Sequence, residues 1–135
     1  MAPRALTGIL GRLRGVAERG AAGETLACRH LEEAGFVIVE RNYTCRSGEV
    51  DVVARDGEST VFVEVKERHG ASHGEGHEAV TFGKRRRIIR AARLYAATRG
   101  LTETPMRFDV ISIDWDPGGT ARLRHDRGAF DSGGN

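Results

Sequence analysis

Residues 48–68 read GEVDVVARDGESTVFVEVKER, two valine-rich runs joined by an Asp-Gly pair. An Asp-Gly pair between two runs of β-branched residues is a strong signal for a tight hairpin. A tip at Asp56-Gly57 predicts that Val50 faces Val63 and that Glu49 faces Glu64. Strand alternation then gives an apolar face of Val50, Val52, Val61, Val63 and Val65. The opposite face holds Glu49, Asp51, Phe62, Glu64 and Lys66.

The segments on either side of this hairpin predict a mixed sheet with helices. Apolar spacing indicates helices over residues 16–34 and 80–98, and strands over residues 36–43, 106–115 and 121–125. The second helix is long enough to cross from the hairpin to a parallel neighbouring strand. We therefore predict an α/β fold with a central mixed β-sheet flanked by helices.

Length and composition favour a single domain. The 135 residues suit one domain over residues 15–130, preceded by a flexible basic leader (1–14) and followed by a disordered tail (131–135). Cys28 and Cys45 do not form a disulfide framework, and no segment has the apolar length of a membrane span. These features predict a cytoplasmic protein without a membrane partner.

Charge is distributed unevenly along the chain. The formal net charge is only +2, from 21 Lys and Arg against 19 Asp and Glu. Basic residues cluster in residues 4–19 and 84–93. Such clusters form either a surface for polyanions or ordinary solvated helix faces, and charge patterning alone does not separate the two.

The acids of the hairpin need a partner. Asp51 lies diagonally from Glu64 in the predicted register, so that their carboxylates would repel each other or take up protons unless a cation joins them. Mg²⁺ or Mn²⁺ is suited to such a carboxylate site. The alternative is a solvent-facing sheet surface with ordinary cross-strand charges, including a pair between Glu64 and Lys66.

A further carboxylate, Glu24, lies at the centre of the apolar stripe of the first predicted helix. Lys66 would compensate it through a salt bridge, or the ion through direct or water-mediated ligation. Alternatively, the helix is rotated so that Glu24 reaches solvent at the edge of the stripe.

These residues resemble a known nuclease pattern. Asp51 followed by Glu64-Val65-Lys66 is similar to the PD-(D/E)xK signature, and the helical Glu24 is similar to that of the Holliday-junction-resolvase branch. The blocks GEVDVVARDG, VFVEVKER, EAVTFGKRRRIIRAA and RFDVISI resemble the YraN-like family of bacterial proteins, over about residues 15–130.

The resemblance implies a restriction-endonuclease-like fold and a metal site. It places Mg²⁺, or Mn²⁺, on Asp51, Glu64 and the Val65 carbonyl, with Glu24 reaching the ion directly or through water. Lys66 matches the lysine that positions the attacking water and offsets charge on the phosphate. Glu49 is a possible accessory residue.

The second helix completes the predicted nuclease. Its basic residues, together with one that follows the motif, would hold the phosphates of a nucleic acid, here Lys84, Arg85, Arg86, Arg87 and Arg68. The chain is thus predicted to be a Mg²⁺-dependent nuclease acting on branched or structured DNA. The alternatives are a non-cleaving nucleic-acid-binding module or a structural partner in a DNA-processing assembly, and a homodimer is left open.

Two features depart from the expected pattern. Glu67 replaces a small or basic residue before Arg68, and His69, His73 and His77 recur at four-residue spacing in a glycine-rich segment. Such spacing suits a zinc site on a helix, but the glycines favour a flexible loop.

Overall fold

The computed structural model describes residues 4–6, 16–70 and 80–135. Six strands in these residues form one sheet, and two helices complete the fold. In chain order the elements are β1 (Arg4–Leu6), α1 (Val16–Glu33), β2 (Val37–Cys45), β3 (Gly48–Asp56), β4 (Ser59–His69), α2 (Phe82–Thr98), β5 (Met106–Trp115) and β6 (Ala121–Phe130). The sheet order is β1-β6-β5-β4-β3-β2.

The strand directions confirm the predicted mixed sheet. The neighbours β2 and β3, β3 and β4, and β5 and β6 pair antiparallel, whereas β4 and β5 pair parallel. The crossover between the parallel strands contains α2, as the sequence predicts. Strand β5 has the predicted bounds, while β4 continues to His69 and β6 to Phe130.

Each helix covers one face of the sheet. Leu26, Ala27, Cys28 and Leu31 of α1 pack on one face, with Val52, Val61, Val63 and Ile111 among their partners. Ile88, Ala91, Ala92 and Tyr95 of α2 pack on the other face, with Val53, Phe62 and Phe108 among theirs. Cys28 is therefore a core residue.

Val50 lies on the opposite face of the sheet from the one predicted for it. Val50 joins the α2 side, whereas Val52, only two residues on, faces α1. The strict alternation of β3 is thus interrupted at Asp51. Sequence periodicity does not reveal this change, because a strand pattern assumes an unbroken pleat.

The predicted hairpin register was also wrong, by two residues. Asp56 pairs with Ser59, so that Gly57 and Glu58 form the turn and Val52 faces Val63. Gly57 takes the positive φ of 62° that this turn requires. Because side chains alternate with period two, a two-residue slip by itself changes partners but not faces, so the position of Val50 has a separate cause.

The chain ends differ from the sequence-based description. Arg4–Leu6 pairs with β6 as an edge strand, and the remainder of the predicted leader lies outside the described residues. The tail forms a turn in which Asp131 Oδ1 accepts from the N–H groups of Gly133 and Asn135. Arg85 of α2 then donates to the Gly134 carbonyl, so the tail is attached to that helix.

The histidine segment lies only partly within the described residues. His69 ends β4 and stacks on Trp115 with a centroid separation of 6.3 Å. His73 and His77 lie outside the described residues. In the part of the chain that the structure describes, neither helix has the length and apolarity needed to cross a membrane.

Candidate functional site

Asp51 and Glu64 meet where β3 and β4 stop pairing. The last paired residues of this ladder are Val52 and Val63, and the two acids are the next residues outward. The Val65 N–H donates to Asp51 Oδ2 at 2.7 Å. Glu64 lies close enough to Asp51 for its carboxyl group to raise the pKa of Asp51. The end of the β3–β4 ladder therefore brings two carboxyl groups close together.

Burial makes this proximity electrostatically unfavourable. The Glu64 side chain is only 6% exposed, which excludes the alternative of a solvent-facing acidic surface. Burial and the neighbouring Glu64 charge raise the pKa of Asp51 to about 7, although the hydrogen bond from Val65 opposes them. The pair therefore requires a proton or a cation near neutral pH.

Lys84, at the start of α2, is a cation that contacts Glu64 of the pair. Its Nζ lies 2.6 Å from Glu64 Oε2, and this hydrogen bond raises the pKa of Lys84. Thr81 caps the helix by accepting from the Lys84 N–H. From the sequence, Lys84 was expected to contact phosphate. Its position four residues before the buried Ile88 was the available signal that it faces the sheet.

An open cleft of about 530 Å³ adjoins the acids. One wall is the β2–β3 turn, residues 44–49, which includes the possible accessory residue Glu49. The opposite wall contains Lys84 and Arg87 of α2. The cleft is therefore acidic at its base and basic along one side, an arrangement that suits a metal ion and a phosphate group.

Glu24 approaches the pair from the α1 side. Its Oε1 accepts from Arg41 Nη2 at 3.1 Å and from Asn42 Nδ2 at 3.0 Å. Its charge still contributes to the raised pKa of Asp51. The partner predicted for Glu24 was Lys66 or an ion, and the structure adds Arg41 and Asn42, which were not predicted.

Lys66 follows Glu64 by two residues in β4, so strand alternation puts both on the same face. Within residues 16–70 and 80–135, no three acidic, histidine or cysteine side chains gather as a ready metal cage. A metal at this site would thus rely on the carboxyl pair, backbone oxygen and water.

The predicted phosphate-binding residues differ in their surroundings. Arg85 is half-buried and donates to the carbonyls of Val80 and Gly134, so it fastens the tail to α2. Arg68 forms an ion pair with Asp114 at 3.1 Å. Arg86 lies over the Phe82 ring, and both Arg86 and Arg87 are exposed.

A second acid packs behind the pair, on the α1 side. Trp115 Nε1 donates to Glu67 Oε1 at 2.8 Å. A Cβ at Gly23 would lie 2.3 Å from Glu67 Cδ, so a larger residue there would require the end of the Glu67 side chain to move. In the sequence, Glu67 is a departure from the nuclease pattern. The structure gives it a packing role beside Gly23.

The pH dependence of stability should report on Asp51. Its pKa in the folded protein is about 7, against an ordinary value of 3.8, so the folded state holds more protons between these values. Stability from Asp51 therefore falls as pH rises from about 4 to 7.

Burial and the nearby His125 lower the pKa of His30 to about 4. Stability from His30 therefore rises with pH between about 4 and 6.5.

In a metal-free buffer, urea titrations of the wild-type chain should show little net change across this window, since the two effects oppose each other. In Asp51→Asn the free energy of unfolding should rise with pH, because only the His30 effect remains. In His30→Gln it should fall with pH. Each change across the window should be about 2 kcal/mol after allowance for solvent screening. Parallel profiles for the three proteins would contradict these assignments.

Comparison with known proteins identifies the family. The family model described as "Uncharacterised protein family UPF0102" matches residues 23–113. The UPF0102 protein of Nocardia farcinica is 46% identical over 122 residues, which cover 90% of this chain and 96% of that protein. That of Symbiobacterium thermophilum is 46% identical over 82% of this chain and 94% of its own length. That of Geobacter sulfurreducens is 44% identical over 83% of this chain and 88% of its own length. The predicted resemblance is confirmed: the chain belongs to the UPF0102 family, which is the YraN-like family.

Proposed function

We propose that this protein is a Mg²⁺-dependent nuclease that hydrolyses phosphodiester bonds in branched or otherwise structured DNA. The observation that carries the proposal is the close approach of Asp51 and the buried Glu64 where the β3–β4 ladder ends. Two carboxyl groups close together are costly in a fold that has no use for them. A divalent cation would compensate the charge of both carboxyl groups, so that the pair would act as a binding site for it.

The donor set fits Mg²⁺ or Mn²⁺. Asp51 and Glu64 would hold the ion, with the Val65 carbonyl as a further ligand and Glu24 acting directly or through water. Mg²⁺ is usually bound by one or two carboxylates and keeps several waters, so a larger protein cage is not required. When bound, the ion would supply Lewis-acid activation of water and charge compensation at the phosphate.

The remaining residues have roles on either side of the pair. We assign to Lys66 the positioning of the attacking water and the compensation of phosphate charge, because it shares a face of β4 with Glu64. Arg87 lines the cleft, and Arg86 extends the exposed basic surface along α2. Contacts of this kind are made to phosphates and not to bases, so recognition would depend on the shape of the nucleic acid.

The order of elements supports a restriction-endonuclease-like core. A helix precedes the hairpin that carries the acids, and a basic helix then crosses to a parallel strand beside β4. In this arrangement the acids and α2 share one end of the sheet, where the cleft opens.

The test is a cleavage assay on labelled linear, flapped and four-way DNA and RNA, with Mg²⁺ or Mn²⁺ or with a chelator. We expect metal-dependent cleavage that Glu64→Gln lowers at least about 100-fold, because it removes a charged ligand without changing shape. Glu58→Gln is the matched control, since Glu58 is exposed in the hairpin turn about 20 Å along the strand.

Equal product from the wild-type and Glu64→Gln proteins would overturn the proposal. Tight binding of structured DNA without cleavage in either metal would instead favour the non-cleaving binding module.

A further inference from the structure

Buried Glu64 already has a cationic partner, Lys84, which lies in α2. Lys84 Nζ contacts Glu64 Oε2 at 2.6 Å, from the first turn of α2 and not from the D…ExK motif. The lysine side chain is 49% exposed, while the carboxylate it contacts is 6% exposed. The ion pair therefore spans the boundary between the buried pair and the open cleft.

The choice of lysine at this position is informative. Of the 21 Lys and Arg residues of the chain, only Lys66 and Lys84 are lysines. Both belong to the region of the acid pair, whereas Arg85, Arg86 and Arg87 follow immediately on the same helix. Arginine binds carboxylates through a rigid planar fork, whereas lysine is a compact point charge on a flexible stem. A flexible point charge suits a contact that has to be given up.

The contact between Lys84 and Glu64 and a metal ion bound to Glu64 should exclude each other. The ammonium group lies at direct contact distance from an oxygen that the metal would use. Two cations at adjacent sites repel each other strongly in partly buried surroundings. Because its side chain is half-exposed, Lys84 has room to turn into the cleft, which its own position on α2 borders.

We propose that Lys84 is the resident counter-cation of Glu64 in the metal-free protein and that a divalent ion displaces it. The displaced ammonium then contacts the phosphate in the cleft, beside Arg87. Metal loading and nucleic-acid binding are thereby linked through one side chain. This inference rests on the proposed metal site but not on cleavage.

The first experiment measures Mn²⁺ binding calorimetrically at pH 8 without nucleic acid. We expect Lys84→Met to bind Mn²⁺ about 3- to 10-fold more tightly than the wild-type chain, because the competing cation is gone. Arg87→Met is the matched control, since it removes the same charge from the same wall of the cleft and leaves the ion pair in place. An equal gain in the two variants, or no gain in Lys84→Met, would overturn the proposal.

The second experiment uses the unaltered sequence and so does not depend on how the variants fold. Reductive ¹³C-methylation labels Lys66, Lys84 and the terminal amine, and a Lys84→Arg sample assigns the Lys84 signal. We expect the Lys84 signal to move with Mg²⁺ over the concentrations at which a calorimetric titration with the same ion detects binding. Binding heat with an unmoved Lys84 signal would overturn this inference alone. An absence of binding heat in the wild-type chain would overturn the proposed metal site itself.

Discussion

Asp109→Ala is expected to lower the free energy of unfolding by about 4 kcal/mol, because it leaves a buried charge network without its centre. Asp109 is fully buried in β5. Its carboxylate accepts from Arg107 Nε at 2.9 Å and Nη2 at 3.0 Å, and from the Gly128 N–H at 3.0 Å. His125 Nε2 lies 2.8 Å from Oδ2.

This network explains how a carboxylate remains ionised inside the core. Burial alone would raise the pKa of Asp109, but hydrogen bonds from His125 and Arg107 hold it below its ordinary value. The chain of contacts continues from His125 Nδ1 to His30 Nε2 at 2.9 Å, so it joins β5 and β6 to α1. A register shift between β5 and β6 at this point brings the Gly128 N–H to the carboxylate.

Asp114→Ala provides the control for Asp109→Ala, because Asp114 is also an aspartate of β5 paired with an arginine. Its ion pair with Arg68 is 3.1 Å long, but its side chain is 40% exposed. An exposed pair of this kind contributes between about 0 and 1 kcal/mol. Urea unfolding followed by circular dichroism would measure both variants. A loss for Asp109→Ala no larger than that for Asp114→Ala would show that the network does not stabilise the fold.

Asp109 also shows where sequence analysis fell short. The strand over residues 106–115 was predicted from its apolar spacing, and no partner was predicted for Asp109 within it. The reasoning that singled out Asp51, namely that a carboxylate in a valine-rich strand needs a partner, applies equally to Asp109. The sequence does not tell which acid meets a second acid and which meets a histidine and an arginine, because those partners come from other strands.

The architecture was more predictable than the site. Helical and strand periodicities place all the elements from α1 to β6, and the crossover rule gives the parallel pairing of β4 and β5. Strand β1 was missed because three residues carry too little pattern to be recognised. The hairpin register was missed because an Asp-Gly pair is compatible with more than one turn position.

Within the site, residues on adjacent strands were easier to place than residues on separate elements. Asp51 and Glu64 were expected to converge because a hairpin connects them, and the structure brings them close together. The partners of Glu24 and Glu64 were not foreseen, since Arg41 and Lys84 reach them through packing of helices on the sheet. Charge patterns along a helix show which residues are basic but not which acid they meet.

Gly48→Ala is expected to destabilise the fold by about 3 kcal/mol and to open the candidate site. Gly48 begins β3 with φ at 155°, a value that side chains with a Cβ rarely adopt. A Cβ here would lie 2.8 Å from the carbonyl oxygen of Arg87 in α2. Because that atom belongs to helix backbone, relief requires movement of α2 and not of one side chain. The movement would carry Lys84 away from Glu64.

Two other glycines separate the causes of this effect. Gly57 also has a positive φ, of 62°, but an added Cβ there meets nothing within 4 Å, so Gly57→Ala should cost only about 1 kcal/mol in strain. Gly83 lies in α2 with ordinary φ and open space, so Gly83→Ala should stabilise the helix by up to about 1 kcal/mol. Thermal and urea unfolding of the three variants would test this ranking. If Gly48→Ala costs no more than Gly57→Ala, close contact between the β2–β3 turn and α2 does not hold the walls of the cleft together.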